Sequence, residues 1–307
     1  MINRTMVRQK VLQTLYAYYK DEDSTALRAQ KHLLKSFNDS YSLYMELLLF
    51  VDELTRYAEE QISEQSARAK ATHTTFIPNR RFVENKFAAQ LFTNRALRSY
   101  ADQQHLSWDA GHSAVAAVYK QLVGADFYKT YMTAEDCGYE DDKMVWRKIF
   151  TNLVLGNDEV DTALDDLEVA LNTQNWSTDL DLVTSFVIKT IKRFDQANGA
   201  DQALLPIFDE EHELEFGKDL LKECMDHHDE YEALMAQHLK NWDASRIAYV
   251  DTIIIVMALT EILNFAEIPL EISLNEYIEL AKEFSSEKSY QFINGIISEI
   301  YKSIKQQ

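Results

Sequence analysis

The sequence predicts an all-α protein, and three observations carry that prediction. The 307 residues include seven glycines and three prolines, which leaves little material for hairpins or glycine-rich phosphate loops and favours long helices with short connections. Apolar side chains recur at helical spacing in Leu43, Leu47, Phe50, Val51 and Leu54, again in Val145, Ile149, Phe150 and Leu153, and in Leu182, Phe186, Ile188, Ile191 and Phe194, each set forming one face to bury. Helix-start signals stand at Asn3 and at Ser273. A chain of this length lies at or beyond the roughly 250 to 300 residues where one core stops growing, so two packed units are expected.

Asn3 is placed to cap a first helix running to about Tyr19. Val7, Val11, Leu15 and Tyr18 form its apolar stripe. Arg4 and Arg8 prolong the same direction, so its first two turns are expected to overhang the bundle. Residues 66–81 (SARAKATHTTFIPNRR) break the helical pattern with polar residues and Pro78, which predicts an exposed loop. Residues 134–142 are expected to be a second exposed connection. Glu215 to Leu239 reads as one helix.

The apolar run Thr252 to Thr260 is bounded by Asp251 and Glu261. A membrane span needs about 20 such residues, so this run is a buried core helix. Pro269 lacks an N–H and restricts Ile268, which separates that helix from the next. Ser273-Leu274-Asn275-Glu276 has the form of a capping box with Ile272 and Tyr277 as its hydrophobic staple, so the next helix is expected to start at Leu274. Phe292, Ile293, Ile296, Ile297, Ile300 and Ile304 stripe the last helix. Gly295 costs that helix about 1 kcal/mol against alanine, which points to close approach of a neighbouring helix ahead of a nearby ligand.

The net charge of −19 argues at first against a nucleic-acid partner. Its distribution alters that argument. Residues 1–134 carry 17 basic and 14 acidic side chains, residues 135–232 carry 8 and 26, and residues 233–307 carry 6 and 10. The acidity is therefore concentrated in the middle, where Asp158 to Glu168 and Asp209 to Glu215 read as solvated faces more readily than as a shield against indiscriminate RNA binding or a lure for a basic partner.

Cys137 and Cys224 are far apart and form no CxxC pair, which fits a reducing compartment. The start MINRTMVRQK lacks the apolar core of a signal peptide, and a cytoplasmic protein is expected. No GxSxG, GxxxxGK[ST], GxGxxG or HExxH pattern occurs. Cys224 and His228 at i, i+4 supply two ligands where a tetrahedral metal site takes about four. Neither catalytic residues nor a cofactor or metal is expected.

Three signatures near the C-terminus stand in a specific order: Glu261 followed by Ile268-Pro269, the block NEYIELAK from Asn275, and the block FINGII from Phe292. In this order they resemble the C-terminal half of the NusB family of bacterial transcription antitermination factors. The opening helix, with Thr14-Leu15-Tyr16 near its end, is similar to that family's arginine-bearing first helix. The resemblance implies an NusB-like helical bundle plus an additional helical domain formed by an insertion. Residues 1–20 would be its basic first helix, 21–212 the helical insertion and 213–307 the C-terminal bundle.

What the resemblance further implies is a non-enzymatic adaptor in the RNA polymerase antitermination complex. It would bind boxA-like single-stranded RNA of ribosomal RNA operons together with Nus factor E, a small-subunit ribosomal protein. RNA contact would fall to Arg4, Arg8, Lys10, Tyr16, Lys288 and Phe292, because guanidinium and ammonium groups pair with phosphate while aromatics stack bases. Partner contact would fall to Asp251, Glu279 and Glu283. The arginine cluster is thinner than in several members, with Thr5 and Met6 at positions that can be basic, and Lys10 and Lys20 are placed to compensate. The loop 66–81, with Arg68, Lys70, Arg80, Arg81 and Phe76, reads foremost as solvated and secondarily as a further RNA surface. Two alternatives remain: an acidic helical scaffold for a basic ribosomal protein, and an NusB-like protein linked to RNA modification without its own catalytic domain.

Overall fold

The computed structural model describes residues 1–208, 212–239, 247–286 and 289–305. Fourteen α-helices are formed among the described residues. They are α1 (Arg4–Lys20), α2 (Ala26–Ala71), α3 (Lys86–Phe92), α4 (Arg95–Gln104), α5 (His112–Gly124), α6 (Asp126–Thr133), α7 (Tyr139–Ile149), α8 (Asp158–Leu171), α9 (Trp176–Arg193), α10 (His212–Asp226), α11 (His228–His238), α12 (Tyr249–Asn264), α13 (Leu270–Phe284) and α14 (Ser289–Lys305). The one extended pairing among these residues is an isolated parallel bridge between Ile2 and Phe208. The chain divides into two compact units, one comprising Asn38–Ile207 with Met1, the other Ile2–Phe37 with Phe208–Gln307.

In the unit of Asn38–Ile207, the remainder of α2 carries the expected stripe, and Leu43, Leu47, Phe50, Val51 and Leu54 are all buried. Three buried tryptophans pack the interior, and two are tied by their indole N–H groups to the α2 backbone. Trp108 Nε1 donates to the Glu46 carbonyl at 2.8 Å and Trp176 Nε1 to the Asp39 carbonyl at 2.9 Å. Each bond offsets the cost of burying an indole N–H and fixes where these two rings sit. Helix α7 passes directly into a π turn over Phe150–Val154, and both Phe150 and Leu153 stay buried. On α9 the buried face is Leu180, Val183, Phe186, Val187 and Ile191, rotated from the expected stripe, since Leu182 and Ile188 are only half-buried.

The expected loop at 66–81 begins later than its composition suggests, because α2 remains helical to Ala71. Among its cations, Arg80 is clamped by Glu59 and Glu84, each at 2.9 Å, and Arg81 donates to the Tyr131 carbonyl at 2.8 Å. Phe76 and Ile77 remain exposed.

The second unit is built around α12. Every residue from Asp251 to Glu261 is buried, which is the signature of a helix covered on all sides. Helices α1, α10, α11, α13 and α14 supply that cover. Asn3 caps α1 as expected, its side chain accepting from the Met6 N–H at 3.0 Å. The expected single helix over 215–239 is two helices, broken at His227.

Helix α13 starts at Leu270, directly after Pro269. The expected cap at Ser273 does not form, and Ile272 is 49% exposed and staples nothing. Ser273 lies inside the helix and donates its hydroxyl to Glu261 Oε1 at 2.6 Å. The close helix approach expected at Gly295 is likewise absent, for a Cβ there would meet nothing within 4 Å. It falls instead at Gly217, where a Cβ would lie 3.0 Å from Val7 and 3.3 Å from Phe37.

Glu261 is the hub of this unit. Arg8 grips it bidentately, Nε to Oε2 and Nη2 to Oε1, both at 2.8 Å. Tyr277 donates to Oε2 at 2.9 Å, and Arg8 Nη1 reaches Glu276 at 3.1 Å. The Arg8 guanidinium also lies 5.3 Å from the Phe216 ring centroid and 5.9 Å from that of Tyr277. Burial works against the Arg8 charge, but the hydrogen bond and attraction of Glu261 outweigh it and raise its pKa, so the residue stays charged. Burial and the Glu261 charge push the Tyr277 phenol well up, which keeps it a donor.

Two expected outcomes follow from these interiors. Arg8→Ala leaves the Glu261 carboxylate buried without its counter-ion and is expected to cost about 3–5 kcal/mol. Urea denaturation should show the Arg8→Met, Glu261→Met double variant to be more stable than either single one; additive losses would mean that the pair is not coupled.

Glu46 offers the second. It is wholly buried and neither carboxyl oxygen has a hydrogen-bond partner. Burial, with a push from Glu53, raises its pKa to about 8. The native state therefore favours the neutral acid, and its stabilising effect is complete below the unfolded value near 4.3 and lost as pH rises toward 8. Relative to Glu46→Gln, the wild type should lose on the order of 2–3 kcal/mol between pH 4.5 and pH 7. Parallel stability curves of the two proteins across that range would remove Glu46 as the cause.

Candidate nucleic-acid interface

Helix α1 presents its cations at its two ends, about 24 Å apart at 1.5 Å per residue. Near the start, the Arg4 side chain is 36% exposed, lies 3.7 Å from the Glu213 carboxylate and sits 5.2 Å from the Phe216 ring centroid. The expectation that Arg8 also overhangs the bundle is corrected by its burial, because Glu261 draws its guanidinium into the interior. Lys10 is fully buried as well. Neither presents its charge to a ligand in this conformation.

The other end of α1 is an aromatic and basic cluster. Tyr16 is 43% exposed and meets Tyr249 edge-to-face with ring centroids 5.9 Å apart. Exposed Lys20 places Nζ 4.5 Å from the Tyr249 centroid and 5.8 Å from that of Tyr16. A cation over two partly exposed rings combines phosphate attraction with a surface on which a base can stack. Tyr249 and Phe216 escaped the sequence reading, since each joins α1 through a contact more than 200 positions away along the chain. Lys20 was legible from its charge alone.

Phe292 is half-buried on α14. Lys288 lies outside the described residues. Asp251, expected on a partner surface, is buried at the first turn of α12. Glu279 is exposed and paired with Lys282 at 2.7 Å, while exposed Glu283 accepts from Gln9 Nε2 at 2.7 Å. These two acids share the outer face of α13.

Cys224 is fully buried, and burial pushes its thiol up to about 12. His228 stacks on Tyr19 with centroids 4.2 Å apart. Among the described residues, His228, Asp229 and Glu232 bring three ligand atoms within 4.8 Å of one another; Asp229 and Glu232 are exposed. No helix among the described residues is long and apolar enough to cross a membrane.

The NusB family profile matches residues 187–302. The transcription antitermination protein NusB of Salinibacter ruber is 34% identical over 127 residues, covering 39% of this chain and 79% of that protein. Its counterpart in Bacillus subtilis is 37% identical over 106 residues, covering 34% and 81%. That of Bacillus pumilus is 34% identical over 121 residues, covering 39% and 92%. No solved structure matches the chain. With most of each relative's length matched by little more than a third of this chain, the protein belongs to the NusB family and is a long form of it.

Proposed function

We propose that this protein is a transcription antitermination factor that binds boxA-like single-stranded RNA of ribosomal RNA operons together with Nus factor E, in the cytoplasm, and supports processive transcription without being an enzyme. The observation that carries the reading is its membership of a family whose curated members are named transcription antitermination proteins. The chemistry of α1 supports it. Arg4 at one end and Lys20 with Tyr16 and Tyr249 at the other supply cations and stacking surfaces in a chain that is otherwise acidic. In this reading α1 and α10 to α14 form the NusB-like unit, the helical material of Asn38–Ile207 is an addition to it, and Glu279 and Glu283 on α13 face the basic ribosomal protein.

Fluorescence anisotropy with a boxA-like RNA at several salt concentrations tests the RNA contacts. Arg4→Ala with Lys20→Ala should weaken binding and lower the log–log salt slope by about 1.4, the share of two single-strand phosphate contacts. An unchanged slope would take the two ends of α1 out of the RNA site.

The partner is tested by stopped-flow mixing with Nus factor E. Glu279→Lys with Glu283→Lys should slow association and reverse its salt sensitivity, because complementary charge acts chiefly on the encounter rate. Wild-type protein that fails to bind Nus factor E at high micromolar concentration, with and without RNA, would overturn this half of the reading.

A further inference from the structure

The first turns of α2, like α1 before them, carry cations and no acid. Residues 24–38 contain Arg28, Lys31, His32 and Lys35 and no acid, following the exposed Asp21, Glu22 and Asp23 of the turn after α1, in a protein whose net charge is −19. Arg28, Lys31 and Lys35 stand at i, i+3 and i+7 and so share one stripe of the helix. Arg28 and Lys31 are exposed, Lys35 is half-buried, and Leu27 and Leu34 flank them at 62% and 38% exposure. The opposite face, with Ala29, Leu33 and Phe37, is buried. Three cations thus span about 10 Å of helix axis, against one phosphate per roughly 3.4 Å of a nucleic-acid strand.

Beside this stripe lies a cleft of about 230 Å³ between the end of α1 and the start of α2, lined among others by Thr14, Tyr18, Asp21, Arg28 and His32. Its polar groups are already oriented. His32 Nδ1 lies 3.2 Å from the Thr14 hydroxyl, and Arg28 lies 3.6 Å from the Asp21 carboxylate and donates to the Asp23 carbonyl at 3.3 Å. The half-exposed Tyr18 ring lines the same cleft. The volume is below the roughly 300 Å³ of sites for larger ligands. A single flat base is the ligand that suits an aromatic wall, an imidazole and a carboxylate together with phosphate-pairing cations alongside.

We propose that the corner between α1 and α2 is a further RNA contact, in which Tyr18 stacks one base in the cleft while Arg28, Lys31 and Lys35 track the adjoining phosphates. The proposal rests on the RNA-binding reading above and extends it to a face that the family comparison does not assign.

The test is anisotropy of the full chain with a fluorescein-labelled 24-nucleotide single-stranded RNA carrying a boxA-like element, across a salt series. Lys31→Ala with Lys35→Ala should lower the log–log slope by about 1.4. Tyr18→Leu should weaken binding about tenfold at every salt concentration and leave the slope unchanged. Circular dichroism and thermal melting control for folding, and the lysine variant, altered at exposed Lys31 and half-buried Lys35, carries the test if Tyr18→Leu is unstable. Wild-type affinity and slope in both variants would overturn the inference and leave the RNA-binding reading standing. Wild-type protein that binds no RNA would overturn that reading as well. A 20-residue polyglutamate that binds with the same dependence on Lys31 and Lys35, where the RNA does not bind, would assign the face to an acidic protein.

Discussion

The ion pair between Arg8 and Glu261 is the constraint on which the second unit depends. Two charges removed from water are costly, and they persist here because every strong donor and acceptor is matched: both Glu261 oxygens take Arg8 and are each completed by Ser273 or Tyr277. This one carboxylate therefore joins α1, α12 and α13. It also sets the rotation of α1, because with Arg8 turned inward Arg4 comes to the margin of the bundle over Phe216, and Tyr16 and Lys20 come to the outside.

Gly217 serves the same end by a different route. A side chain there would press on Val7 and Phe37, so the absence of a Cβ lets α10 approach α1 closely. Phe216, the preceding residue, then lies against both arginines of α1. An aromatic face beside a buried guanidinium adds attraction that water would otherwise supply.

Net charge says little about what each surface attracts, since exposed charges farther apart than about 10 Å are screened at ordinary ionic strength. The acids of α8 illustrate the point. Partial burial raises the Asp161 carboxyl, and its neighbours Asp158, Asp165 and Asp181 push it further in the same direction. That mutual repulsion belongs to the unit of Asn38–Ile207. The two ends of α1, whose cations have aromatic neighbours, and the first turns of α2 with their own cations belong to the other unit. A chain of net −19 can thus offer a local surface of opposite sign.

Local chemistry determined the helical class, the cap at Asn3 and the buried stripes of α2 and α12, because these follow from spacing and composition within one or two turns. The residues Ser273-Leu274-Asn275-Glu276 also form a valid local start signal, yet Pro269 starts the helix earlier and the serine hydroxyl serves Glu261, twelve positions away. Arg4 and Arg8 look equivalent in the sequence, one turn apart on one stripe. Only the packed structure separates them, since it places a carboxylate from residue 261 beside one and leaves the other at the surface. Burial and ion pairing depend on partners distant along the chain, and no local pattern encodes which partner arrives; the sequence alone determined the helical class and the family, and the tertiary structure decided where several helices begin or break and which charges face water.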